Sequence, residues 1–365
     1  GLIGNTPDED FLYRENFFEI LYGTETGLRL ANIANSSLKW ETTAQYDVGL
    51  EVGLFDDRIA ITTDFYLKST SDLLFPVRIT QTAGSPEFVL QNIGTMTNQG
   101  IEFAINSLNI DKENFSWTTD FNITFNQNEV TDIGGNILTA DYNAFIEGEP
   151  ASSFYLRKYV GVDPETGQAL YDNGVGGTTT DWNSAPRMIA GNPNPEFFGG
   201  INNTLTYKDI TLTFLFQFVS GVEIYNATKE FLANSGILNL SQSADQLNRW
   251  YKPGDDAPFP ALNPFQENTF ASTRFIEDGS YIRLNTATIT YNLPSELVSG
   301  WGLSYLRFYV GGQNLITFTN YSGYDPDVNY VDPNFGTIGR NLNRNIDNFN
   351  SPQARTIITG IKIGL

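Results

Sequence analysis

Carboxylates are the main chemical resource of this sequence: 365 residues carry 42 Asp and Glu against 21 Lys and Arg, with no Cys and no His. That inventory excludes a disulfide framework, a Cys/His zinc cluster, a Ser/His or Cys/His nucleophilic pair and a histidine pH switch. Carboxylate pairs for glycoside hydrolysis exist on paper, as Glu277-Asp278 and as Asp325 with Asp327. They act only when held ~5 to 9 Å apart across a sugar, and solvated turn carboxylates are the simpler reading, so no catalytic residue is assigned. Asp325, Asp327 and Asp332 are hard-oxygen candidates for calcium. Their spacing lacks the Asp-x-Asp-x-Asp-Gly order of an EF-hand loop and suits ordinary Asx turns, so no metal and no cofactor is assigned. The glycines at Gly134-Gly135 and Gly174 to Gly177 precede no helix that would present a phosphate site, and read as turns. A formal charge of −21 has the wrong sign for phosphate neutralisation, which leaves nucleic acid out as a partner.

Aromatic rings are the better binding candidates. Tyr171, Trp182, Trp250, Tyr321 and Tyr324 stand outside the regularly patterned segments, where a flat ring can stack on a sugar or be buried under a protein lid. Packing of loop against loop is the competing use.

The elements that position these residues follow from a period of two. Tyr46, Val48, Leu50, Val52 and Leu54 alternate with Asp47, Gly49, Glu51 and Gly53, a strand with one apolar side. Phe115 to Phe125 and Ile210 to Phe218 repeat the pattern, as do residues 59–68, 101–108, 201–207, 306–318 and 357–365. Along Tyr281 to Leu293 the apolar parity changes between Leu284 and Ile289, which predicts a bulge. Short helices are predicted over Ser243 to Tyr251, ahead of Pro253-Gly254, and over Ser295 to Ser299. Phe121, Phe214 and Phe216 are expected to face lipid or a girdle.

About nine strands result, and short turns alternate with long polar stretches at Phe75 to Gln91, Gln127 to Glu196, Ser220 to Thr273 and Thr319 to Pro352. A soluble sandwich has no reason to gather its short connections at one end. An outer-membrane barrel does. The expected fold is therefore all-β, an antiparallel transmembrane β-barrel with long extracellular loops. Residues 1–39 are expected as an extracellular loop region and 40–365 as barrel. Nine strands left open would expose two edges, so the chain is expected to be the C-terminal portion of a larger barrel.

The residues also resemble a known family from about Leu38 to Leu365. The stretches that carry the likeness are Leu38 to Thr43, Asn92 to Glu102, Gly191 to Phe197, Arg249-Trp250, Phe275 to Leu284, Gln313 to Leu315 and Tyr321 to Pro326. In this order they resemble the C-terminal part of SusC/RagA-type TonB-linked outer-membrane transporters. The family usually ends on an aromatic residue where this sequence has Leu365. The resemblance implies a plugged barrel of roughly 22 strands and a multi-pass location in the cell outer membrane, in contact with its lipid. It implies an N-terminal plug and a segment contacting the TonB complex, the remaining barrel strands, and a SusD-like surface lipoprotein over the outer mouth. The implied function is active uptake of a bulky nutrient, glycan or oligopeptide, in Bacteroidota-type bacteria, and not enzyme chemistry. A passive porin or structural outer-membrane barrel would share every strand argument, and a soluble carbohydrate-binding β-protein would share the exposed aromatics.

Overall fold

A computed structural model describes residues 1–5, 13–79, 88–234, 241–263, 269–328 and 343–365. Ten strands form one sheet: β1 (Leu2–Asn5), β2 (Glu41–Leu54), β3 (Ile59–Arg78), β4 (Phe88–Lys112), β5 (Phe115–Asp132), β6 (Phe197–Tyr207), β7 (Ile210–Ser220), β8 (Tyr281–Asn292), β9 (Tyr305–Thr319) and β10 (Thr356–Gly364). Each pairs antiparallel with its neighbours in chain order, so the sheet is a meander with β1 and β10 at its edges. Connections between successive strands must then alternate between its two ends. Residues 55–58, 113–114, 208–209 and 293–304 close one end; β1, β3, β5, β7 and β9 all finish at the other, where the longer connections start.

The registers align the two sequence patterns into two continuous faces. One row runs Val52, Ile61, Ile105, Phe121, Ile201, Phe216, Leu284, Ile316 across eight strands, all apolar. One residue away runs Glu51, Thr62, Ala104, Asn122, Gly200, Gln217, Arg283, Thr317. Because side chains alternate across a strand, the first row lies on one face and the second on the other. No described element covers the apolar face: Val48 is 71% exposed and Ile357 65%. Aromatic residues mark its two margins. Phe125, Phe197 and Phe218 pack ring on ring towards the long-connection end, while Phe115, Tyr207 and Tyr291 align through Ile210 at the short-turn end. Ten residues separate Phe115 from Phe125, ~33 Å along a strand and ~25 Å of height at the tilt usual for a membrane barrel.

Nine of the ten strands lie where alternation predicts them. The tenth corrects the reading of residues 1–39 as loop throughout, since Leu2 to Asn5 pair with Ala44 to Glu41. A second hairpin, Asn16–Tyr22 with Glu25–Asn32, follows within the same stretch. The expected connection Phe75 to Gln91 shrinks, because β3 and β4 pair out to Arg78 and Phe88. Asp72 at φ 57° and the shift between Thr70 and Leu73 break the period there without breaking the ladder. The bulge in β8 falls at Asn285, the residue skipped in both flanking registers. Ser295–Ser299 is a short α-helix as expected. Residues 243–251 are not: a 3-10 turn covers Ala244–Asn248 and the chain becomes extended at Arg249, where Trp250 N instead donates to Phe259 O.

Candidate functional site

The long connections fold into a layer of their own at one end of the sheet. A short four-stranded sheet holds Ser153–Arg157 between Arg187–Gly191 and Asn143–Phe145. A three-stranded one joins Tyr159–Val162, Ala169–Asp172 and Thr178–Thr179. A third brings together distant parts of the chain: Glu223–Asn226 pairs antiparallel with Ile276–Asp278 and parallel with Ile346–Asp347. Here the apolar residues are inside. Phe154, Leu156, Tyr225, Phe275 and Ile346 form one buried cluster, and Val130, Ile133, Leu138 and Phe145 pack with Phe75 in another. Tyr225 stacks on Tyr142 at 4.1 Å and donates to Glu230 Oε2 at 2.6 Å; burial, then the Glu230 charge, push its hydroxyl well up.

A cleft of about 580 Å³ opens in this layer, and its lining includes Glu149, Glu196, Glu223, Glu277 and Asp278 beside Asn192 and Ile189. Two of these carboxylates are already engaged. Glu223 accepts from Asn192 N. Glu277 accepts from Lys229 Nζ at 2.8 Å, Ser322 N at 2.9 Å and Ser322 Oγ at 2.8 Å. Burial works to raise the Glu277 carboxyl, but those hydrogen bonds outweigh it and hold the group below its ordinary range. Glu277 and Asp278 are adjacent on one strand, so their side chains point to opposite faces. They do not present their carboxylates side by side.

The five aromatic candidates are brought into the same layer but not onto one surface. Tyr171 is buried with Ala169 and Ala185, and Tyr321 is buried with Ile224 and Val328. The Tyr321 hydroxyl donates to Asp347 Oδ2 at 2.6 Å, and burial and that carboxylate both raise it. These two rings therefore serve packing, which corrects their reading as contact residues. Trp182 stacks on Phe270 at 5.1 Å, lies under the Arg157 guanidinium at 3.7 Å and donates through Nε1 to Ala271 O at 2.9 Å. Trp250 donates to Pro164 O at 2.8 Å and rests on Gly167, whose φ of 71° and missing Cβ leave room for the indole. Tyr324 alone of the five is fully open, at 78%.

The calcium reading fails at its first ligand. The Asp325 carboxylate is taken by Arg283, whose side chain is 3% exposed, and also accepts from Asp327 N and Gln353 N. Asp332 lies outside the described residues, and among the described residues no three His, Cys, Asp or Glu side chains converge as metal ligands. Sequence reading missed the Arg283–Asp325 pair, which ties β8 to the last long connection; the isolated Arg in an otherwise Thr- and Asn-rich polar face was its signal.

A one-sided apolar wall of membrane height, polar on its other face, with a folded layer of long connections at one end, defines an outer-membrane β-barrel protein. The chain belongs to the family described as TonB dependent receptor-like, beta-barrel, which matches residues 6–315; its members are outer-membrane transporters, not enzymes. Among curated proteins it is 38% identical to TonB-dependent receptor P3 of Formosa agariphila over 92% of its length, and 29% identical to TonB-dependent receptor SusC of Bacteroides thetaiotaomicron over 80%. It spans 35% of the P3 receptor and 30% of SusC. Among solved structures it superposes along its whole length on the RagAB peptide transporter with a TM-score of 0.85 at 24% identity, covering 40% of that chain. An open-open state of the RagAB peptide importer gives 0.82.

Proposed function

We propose that this chain forms wall and outer loops of a SusC-like TonB-dependent transporter that imports a bulky nutrient, glycan or oligopeptide, together with a SusD-like surface lipoprotein. The observation that carries the reading is the opposition of the two regions: a wall whose apolar side is built for hydrocarbon, and a folded loop layer confined to one end of it. A wall alone would serve a passive pore. A layer with its own buried cores is the kind of rigid scaffold on which binding groups are placed. Its likeness to SusC and to the RagAB peptide importer supports the substrate size class and a two-component arrangement.

In this reading β2 to β10 span the membrane with the ladder bonds between neighbouring strands satisfied inside the sheet, and the polar row from Glu51 to Thr317 faces the lumen. The layer lies on the cell exterior and meets the nutrient and the lipoprotein lid. Energy enters through TonB contacts made elsewhere in the transporter. Trp182, Trp250 and Tyr324 are the aromatic groups left near the surface of the layer. The test uses the full-length transporter in cells. Uptake should require TonB, and Tyr324→Ala should weaken retention of the lipoprotein on co-purification, whereas Asp56→Asn with Asp57→Asn at the short-turn end should leave it unchanged. Uptake that proceeds without TonB would reduce the protein to a passive pore.

A further inference from the structure

In a chain with twice as many acids as bases, arginines ordinarily find carboxylates. Arg157, Arg187 and Arg274 do not: among the described residues none of the three makes an ion pair or a side-chain hydrogen bond, and the first two face each other. Arg157 and Arg187 are directly opposite in antiparallel strands, which puts both side chains on one face with Cβ atoms ~5 Å apart, an arrangement that is unfavourable for like charges by themselves. Arg274, on another connection, is held among the Tyr159, Phe259 and Phe275 rings. The Tyr159 backbone N donates to Thr273 Oγ1 at 3.0 Å, and the Arg274 guanidinium stands 5.3 Å from the Tyr159 ring.

Several polar atoms in this part of the layer lack partners. Arg157 Nε, Arg274 Nη2, Tyr159 Oη and Ser272 Oγ are buried and have no hydrogen-bond partner. Leaving such groups unmatched is destabilising, more so when they are charged. The Arg157 guanidinium is also pre-positioned. It lies flat on Trp182, which Phe270 and the bond to Ala271 O fix in turn. Burial, and then the facing charge of Arg187, lower the basicity of Arg157. Asp181, the acid whose charge acts on Arg157, accepts from Asn183 N within its own turn, and Asp172 is paired with Lys158 at 3.7 Å.

We propose that Arg157 and Arg187 form a binding site for an oxyanion, a carboxylate or sulfate ester carried by the imported nutrient. Guanidinium pairs match the geometry of both groups and bind them through charge-assisted hydrogen bonds. The site adjoins the cleft, since Ile189, two residues from Arg187 on the same strand, lines it. The assignment of the anion to a nutrient rests on the transport reading; the existence of the site does not.

The experiment is equilibrium binding to the purified full-length transporter in detergent, without TonB, using trigalacturonate, its neutral methyl ester and inorganic sulfate as probes. Trigalacturonate should bind, and the ester should bind at least ~10-fold more weakly, the loss expected for charge-assisted bonds of ~1.4 kcal/mol or more. Sulfate competing for the site identifies sulfate esters as an equal source; sulfate that fails to compete restricts the site to carboxylates. Arg157→Gln with Arg187→Gln should abolish the preference for acid over ester. If that variant misfolds because the Trp182 stack is lost, Arg187→Gln alone should weaken acid binding several-fold with the fold intact. Equal affinity for acid and ester, no binding of any probe, or unchanged acid binding in a folded Arg187→Gln protein would overturn the site. Uptake that proceeds without TonB, with binding retained, would instead count against the transport reading alone.

Discussion

Wall and loop layer are made from one chain by opposite rules. In the wall Val48, Leu50, Ile289 and Ile361 are more than half exposed, and the face they form is continuous over eight strands. In the layer Phe154, Ile224 and Tyr225 are fully buried, and the carboxylates lie around them. Every buried apolar residue of the described chain belongs to the layer, to a strand end beneath it or to the helix of the last short connection. The lesson is that a hydrophobic residue reports its solvent rather than its depth. The wall solves for hydrocarbon and the layer for water.

The largest effect that bears on this contrast belongs to the layer. Phe275→Ala removes a ring that packs edge-on to Tyr225, at a cost of about 3 to 5 kcal/mol for a buried aromatic. Hydrogen exchange in the full-length transporter should show residues 153–157 and 223–226 opening while β5 to β8 stay protected. Opening of both regions together would mean that they are one cooperative unit.

On the wall, Phe214→Arg places a charge in hydrocarbon and should destabilise by about 2 to 4 kcal/mol in lipid. Thr213→Ser, on the other face of the same strand, should stay within ~0.5 kcal/mol. Urea unfolding in vesicles compares them, and equal costs on both faces would break the division of faces. A smaller change sharpens the picture inside the layer. Trp250→Phe keeps the ring on Gly167 but removes the bond to Pro164 O, about 0.5 to 1.5 kcal/mol, seen as faster exchange of the Ala261 amide that donates to Gly167 O.

The smallest effect is set by acidity. Glu277 is held below its ordinary value of 4.5, so its contribution is complete above that value and is lost as pH falls through the lower folded value. Exchange around Ser322 should therefore rise only at acid pH. Glu277→Gln should flatten that dependence, and a rise already present near neutrality would show that another group controls the contact.

Nine wall strands were legible because a half-buried strand writes its environment into alternate residues, as Tyr46 to Leu54 does. Leu2 to Asn5 is too short to establish a period, and the ends of β3 and β4 lose theirs at Asp72. In the layer, sequence pointed to the right connections and to the wrong use of their rings. Tyr171 and Tyr321 carry no sign that neighbours tens of residues away close over them. The Arg157–Arg187 pairing depends on a register that shifts between Phe154 and Tyr155, which no local pattern encodes. Face is a local property; convergence of loops is not.

The meander has a consequence for the order of assembly. Four of the nine neighbouring wall pairs are hairpins closed by short connections and can form from local contacts, while the other five meet across the long connections. The layer is tied by contacts of far greater span: Asn143 Nδ2 donates to Arg344 O across 201 residues, and Tyr225 pairs with Ile346. Its central sheet lacks an edge until the connection before β10 arrives. Closure of the layer therefore waits for residues 344–347, and without that connection the Tyr225 cluster would stand open to proteases while the earlier hairpins could already be formed.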